Sequence, residues 1–190
     1  MRKRITLAAV STIALIAPLA GLASADTIDG TNDDDRLYGT NGRDQISGRN
    51  GDDMLFGRGG RDWLSGGRGR DIVFGGRRGD DISGGLLGDH LVGNRGSDSI
   101  VDLVATEFSP RLPVDNDTVI GNRGNDFIGF GNGRDKVYAG PGRDRLRTMR
   151  DSYVDRIYCG PGRRDLLAYY GAIDRKDVVT GCERIVVRSL

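Results

Sequence analysis

Large aliphatic residues recur on a fixed beat of nine between residues 30 and 101: Leu37, Ile46, Leu55, Leu64, Val73, Ile82, Leu91 and Ile100. Two residues before each stands an aspartate, giving Asp35, Asp44, Asp53, Asp62, Asp71, Asp80, Asp89 and Asp98. Seven residues before each stands a glycine, from Gly30 and Gly39 through Gly48, Gly57, Gly66, Gly75 and Gly84 to Gly93. Counting that glycine as the first place, the aspartate holds the sixth and the aliphatic the eighth. Side chains alternate faces along a strand, so an inward eighth place puts the seventh and ninth outward. The ninth place runs Tyr38, Ser47, Phe56, Ser65, Phe74, Ser83, alternating large and small. That is an eighteen-residue period inside the nine, as expected when successive units lie on two opposite sheets.

The beat stops over residues 102–116 (DLVATEFSPR lies within) and resumes at Asp117-Thr118-Val119. It continues through GNRGNDFIG, FGNGRDKVY and AGPGRDRLR, which supply Asp126, Asp135 and Asp144. A weaker echo follows at Asp155-Arg156-Ile157, and the short runs DLLAYY and DVVTGCERIVV lack a clean period. The sequence thus divides into 1–25, a repeat block over 26–101, an interruption over 102–116, a second block over 117–147 and a C-terminal cap over 148–190.

These units fit G-G-x-G-x-D-x-U-x, with U a large aliphatic. The chain therefore resembles the RTX, or haemolysin-type, calcium-binding nonapeptide-repeat proteins over residues 30–101 and 117–147. The resemblance implies an all-β fold, a parallel β-roll with two nonapeptides per coil, each unit giving a six-residue turn and a three-residue strand. It also implies several Ca2+ ions between neighbouring turns. The aspartates just named, from Asp35 to Asp98 and from Asp117 to Asp144, would be the carboxylate ligands. The turn glycines Gly48, Gly51, Gly57, Gly60, Gly66 and Gly69 would supply backbone carbonyls.

Physical chemistry favours the same ion. Stacked coils set equivalent aspartates one strand spacing apart, about 4.8 Å, where two carboxylates repel by roughly 3 kcal/mol at an effective dielectric of 20. A ladder of them needs positive charge between its rungs. Calcium is hard and takes carboxylate and carbonyl oxygens together, and the frame offers no thiolate or recurring imidazole for softer metals. Gly at the first and fourth places is read as permitting positive φ and close stacking. Arg78 and Leu87 replace fourth-place Gly, Asp33 takes that place in the first unit, and Phe130 and Ala139 replace first-place Gly. The best-formed sites are accordingly expected at Asp44, Asp53, Asp62 and Asp71, with those at Asp80 and Asp89 weaker. Arg43, Arg61, Arg70, Arg134 and Arg143 precede the sixth place, and are expected to soften the repulsion and lower calcium affinity.

The first 25 residues follow a different logic. A basic MRKR, an apolar run broken by Pro18 and the small residues Ala23-Ser24-Ala25 make a secretory signal peptide, cleaved after Ala25. No later stretch is long and apolar enough to span a bilayer. Gly accounts for 31 of 190 residues, about double the usual share, with a period that excludes collagen. Removing Arg2, Lys3 and Arg4 leaves 25 basic against 27 acidic residues, a net charge of −2. The Arg-Gly lines are each flanked by Asp, so no nucleic-acid partner is expected. Cys159 and Cys182 are expected to form one disulfide in an exported chain, worth about 3–4 kcal/mol by chain entropy.

No nucleophile motif is present, His90 is the sole histidine, and the repeats begin near the expected mature terminus, so a non-enzymatic role is expected. Arg78-Gly79-Asp80 spells an adhesion tripeptide, but the repeat frame generates it. One outward face, with Tyr38, Phe56 and Phe74, is apolar, and the other, with Ser47, Ser65 and Ser83, is polar. A strip of that size calls for cover by the interruption, the C-terminal segment, a macromolecular partner or a second copy. The expected function is a secreted calcium-binding structural or interaction module; the alternative is an accessory or degenerate module of a secreted hydrolase.

Overall fold

A computed structural model describes residues 3–6, 25–102, 115–149, 151 and 153–189. The strands are β1 (Lys3–Thr6), β2 (Asp26–Asp29), β3 (Arg36–Tyr38), β4 (Gln45–Asn50), β5 (Met54–Gly59) and β6 (Trp63–Arg68). Next come β7 (Ile72–Arg77), β8 (Asp81–Leu86), β9 (His90–Arg95), β10 (Ser99–Asp102), β11 (Thr118–Arg123) and β12 (Phe127–Phe130). The last are β13 (Lys136–Tyr138), β14 (Arg145–Met149), β15 (Arg156–Tyr158), β16 (Leu166–Tyr170), β17 (Val178–Thr180) and β18 (Arg184–Arg188). Even-numbered strands, with β1 at one edge, make a ten-stranded sheet, and odd-numbered strands from β3 to β17 make an eight-stranded one. Both are parallel throughout, which makes the molecule a two-sheet β-solenoid of the β-roll kind.

Register follows from the repeat. Leu55 pairs with Val73 and Ile46 with Leu64, each eighteen residues on. Every eighth-place aliphatic from Leu37 to Ile100 points between the sheets and is buried, with Ile28, Val119, Ile128, Val137, Leu146, Ile157 and Leu167 extending the same column. Across the interruption the offset becomes twenty-eight: Leu91 pairs with Val119, and Ile100 with Ile128. The strands before and after it stack as ordinary neighbours. The interruption itself, over 103–114, lies outside the described residues, as do residues 7–24 of the expected leader.

Two local expectations need correction. Strands β4 to β9 and β11 are six residues long rather than three, because coil-to-coil pairing continues into places two and three, as at Arg58↔Gly76 and Gly59↔Arg77. The chain bends there through positive φ at the second place, 74° at Arg58 and 120° at Gly76. The first-place glycines do not take positive φ; the left-handed positions are the second and fourth. First-place Gly is needed for close approach instead: a Cβ on Gly57 would sit 2.5 Å from the Gly75 carbonyl oxygen.

The C-terminal segment closes the molecule with further coils. β15 and β17 extend one sheet, β16 and β18 the other, and a Cys159–Cys182 disulfide with Cα atoms 5.1 Å apart ties two adjacent turns. It therefore does not lie over the aromatic strip. Tyr38, Phe56 and Phe74 stack face to face, centroids 4.8 and 5.2 Å apart, and Phe74 meets the edge of His90. The three rings are half-buried by one another, with the Arg58 guanidinium over Tyr38.

Candidate metal centre

Each turn delivers its sixth-place carboxylate to the inside of the coil. All twelve aspartates expected from the repeat are buried: Asp35, Asp44, Asp53, Asp62, Asp71, Asp80, Asp89, Asp98, Asp117, Asp126, Asp135 and Asp144. From Asp44 onward, the Oδ1 of each rung accepts the backbone N–H of the aspartate one coil earlier. Asp44 N–H donates to Asp62, Asp53 to Asp71, Asp62 to Asp80 and Asp71 to Asp89, at 2.8–2.9 Å. The ladder crosses the interruption unbroken, Asp89 N–H donating to Asp117 and Asp98 to Asp126, both at 2.9 Å.

The second oxygen divides the rungs other than Asp117 into two groups. On Asp35 and Asp44, Oδ2 accepts from the N–H and hydroxyl of a second-place threonine, Thr31 and Thr40, at 2.5–3.0 Å. On Asp53, Asp62, Asp71, Asp80, Asp89, Asp98, Asp126, Asp135 and Asp144, Oδ2 is fully buried with no partner. A buried carboxylate oxygen without a donor is expensive. Asp44, expected among the best-formed sites, is thus already satisfied within the protein, and Asp80 and Asp89, expected to be weaker, carry the same unpartnered oxygen as Asp53. Arg78 and Leu87 leave these turns intact because both hold the left-handed backbone themselves, with φ of 76° and 81°.

The glycines frame that oxygen. Beside Gly57, the Asp62 Oδ2 and the Gly75 carbonyl oxygen of the next coil would lie 2.7 and 2.5 Å from the same Cβ position. Beside Gly39 the Asp44 Oδ2 and the Gly57 carbonyl lie at 2.7 Å, and the Gly66 carbonyl holds the equivalent place beside Gly48 at 2.6 Å. The Gly48 carbonyl faces Gly30 in the same way. First-place carbonyls and Oδ2 atoms from adjacent coils therefore converge. Of the fourth-place glycines, Gly60 lies on the Oδ1 side of the turn, a Cβ on it falling 3.0 Å from Asp62 Oδ1, while Gly51 and Gly69 face the backbone of the preceding coil.

Burial dominates the electrostatics. It lifts Asp53 and Asp62 to about 7, and Asp80 and Asp89 to about 8, against the lowering effect of one backbone hydrogen bond each. Asp135 rises to about 9 for the same reason. The arginines preceding the rungs do not offset this: Arg43, Arg61, Arg70, Arg134 and Arg143 are exposed, and the ion pairs among the described residues, Arg49–Asp29 and Arg61–Asp81, involve no rung. Carboxyl groups so placed need either protons or a cation. A hard divalent ion fits the donor set of carboxylate and carbonyl oxygens.

The RTX calcium-binding nonapeptide-repeat model matches the chain in four copies, over residues 19–46, 47–82, 83–101 and 114–146. The chain belongs to this family. No curated protein matches it significantly. RTX repeats bind calcium within a β-roll, and the buried aspartate stack of this solenoid suits that ion.

The columns run on past the twelve expected ligands, through the weaker echo at Asp155 and beyond it. Asp155 and Asp165 accept from Asp135 and Asp144 N–H at 3.0 and 2.8 Å, and Asp177 and Glu183 continue the two columns. Their signal was the acid two places before an aliphatic, in Asp165-Leu166-Leu167 and Glu183-Arg184-Ile185, without the nine-residue spacing. Thr31 and Thr40 were not singled out, and Asp102, which is buried with an unpartnered Oδ2, fell at the edge of the interruption.

Proposed function

We propose that this chain is an exported structural or interaction module whose fold is held by calcium ions bound in the turns from Asp53 onward. The observation that carries this is the row of buried Oδ2 atoms without partners, with a backbone carbonyl of the next coil beside those of Asp53, Asp62, Asp80, Asp98 and Asp126. In each such turn the sixth-place aspartate would give Oδ2 and the neighbouring first-place residue its carbonyl oxygen, while Oδ1 stays on the backbone N–H. Calcium bound there supplies charge neutralisation and cross-coil bonding, so folding and binding are coupled. Extracellular modules bind in the 10⁻⁴–10⁻³ M range, which leaves such a chain loose inside a cell and ordered outside. The signal-like leader and the disulfide support export. Cleavage after Ala25 removes β1 and leaves β2 as the first strand. The stacked Tyr38–Phe56–Phe74 face is the surface offered to a macromolecular partner or a second copy.

The test is a calcium titration followed by far-ultraviolet circular dichroism, with chelator reversal. Wild-type protein is expected to gain β-structure and thermal stability with calcium, and an Asp53→Ala, Asp62→Ala double variant to need several-fold more. An identical spectrum and melting point with and without chelator would reject the reading.

A further inference from the structure

The first place of the repeat is glycine in every unit from Gly30 to Gly93, and nine residues beyond Gly93 it is Asp102. First-place side chains other than glycine turn inward in this solenoid. Phe130, the register partner of Asp102 in the next coil, is wholly buried. Asp102 does the same, with 2% of its surface exposed. Its Oδ1 accepts the Gly85 N–H at 3.1 Å, while its Oδ2 has no partner. A Cβ on Gly84 would lie 2.8 Å from both Asp102 oxygens and against the equally unpartnered Asp89 Oδ2. Asp117 completes the group: one oxygen from each of Asp89, Asp102 and Asp117 lies within 4.8 Å of the others, all three residues being buried.

We propose that Asp89, Asp102 and Asp117 form a divalent-cation site of their own, with three carboxylates where a repeat turn has one carboxylate and a carbonyl. It rests on the calcium reading only for the identity of the ion. Two unpartnered oxygens aim into the site, from Asp89 and Asp102, and no basic side chain pairs with any of the three among the described residues. The neighbouring Asp115 is a further buried acid, lifted to about 7 by burial and by repulsion from Asp117. Desolvation pushes the Asp102 carboxyl well up, and repulsion from Asp117, a side-chain hydrogen bond shared with Asp117 and repulsion from Asp89 add to it. Hard oxygen ligands suit calcium, and affinity rises with the number of charged ligands. The site takes Asp102 from before the interruption and Asp117 from after it. The cation would therefore join the two ends of the inserted segment and hold β10 and β11 in the unbroken ladder.

The experiment is equilibrium dialysis of the full chain against graded free Ca2+, for wild type, Asp102→Asn, Asp102→Gly and Asp62→Asn. The glycine variant restores the residue that the repeat uses at this place, so it keeps the fold if the asparagine variant does not. Circular dichroism at saturating calcium checks that. Wild type is expected to take up one equivalent at a free calcium about tenfold below the midpoint of the rest. Both Asp102 variants should lose that equivalent and keep the others, and Asp62→Asn should keep it. Retention of the tight equivalent in folded Asp102→Gly, or its absence from wild type while the weaker sites fill, overturns this site and leaves the repeat reading standing. A tight equivalent lost with Asp102 and no weaker uptake supports this site and rejects the repeat reading.

Discussion

A single carboxylate oxygen separates two kinds of rung. Thr40 gives Asp44 a hydroxyl donor at 3.0 Å where Asp53 has none. The Thr40→Val variant should therefore lower metal-free stability by about 1 kcal/mol, measured by denaturant melts in chelator, while leaving calcium uptake at the later turns unchanged. Rungs without such a donor make metal-free stability depend on pH. Burial raises Asp53 to about 7 and Asp80 and Asp89 to about 8 in the folded chain, above the 3.8 of the free side chain. The folded state thus holds protons that the unfolded state has released. Their contribution is fully present below about pH 4 and is lost as pH rises through 7 and 8. In chelator, melting temperature is expected to fall between pH 5 and pH 9, and saturating calcium should abolish that fall because the ion takes the place of the protons. A metal-free melting temperature that rises over this interval would contradict the burial argument.

The element that repeats is a strand with a bent extension, and only part of it was legible in the nonapeptide. Places six and eight announce themselves because one chemistry recurs there: the Leu55–Leu64–Val73 column has to be apolar to fill the space between the sheets, and Asp62 has to offer a short side chain whose oxygen accepts a backbone N–H. The continuation of pairing into places two and three was not legible, since Arg58, Gly67, Gly76 and Asn94 share a left-handed φ and no side-chain property. The later coils lost their period because their turns lengthen: Asp144 is followed by Asp165 twenty-one residues on, yet the hydrogen bond between them is unchanged. Backbone conformation also explains why substitution at place four is tolerated. Leu87 sits at φ 81°, a region costly for a branched side chain, so Leu87→Gly should stabilise the protein by about 1 kcal/mol in thermal or denaturant melts. Place one is the opposite case. Gly57→Ala would push a methyl to 2.5 Å from the Gly75 carbonyl and 2.7 Å from Asp62 Oδ2, and is expected to cost about 2–3 kcal/mol and to weaken calcium uptake at that turn.

Across the whole molecule, two columns of carboxylates run the length of a two-sheet coil and are interrupted in sequence but not in space. Its core is one aliphatic residue per unit, backed near the C-terminal end by Phe130, Ala139, Cys159 and Tyr169 as first-place glycines give way to larger residues. That change of filling marks two regimes. Glycine-rich turns bring backbone oxygens beside the unpartnered carboxylates, whereas the last coils rely on apolar packing, the Tyr169 hydroxyl on Asp177 at 2.8 Å and the Cys159–Cys182 bond. Calcium should accordingly order the repeat turns most strongly, and reduction of the disulfide should loosen the last coils first.

The most direct measurement is a crystal structure grown in calcium, with anomalous difference density collected at long wavelength. Peaks are expected beside the Oδ2 atoms of Asp53, Asp62, Asp71 and Asp80, each also contacted by a carbonyl of the adjacent coil, with no peak beside Asp35, where Thr31 fills the position. Featureless maps at those four turns, with water molecules donating to the same oxygens, would contradict it.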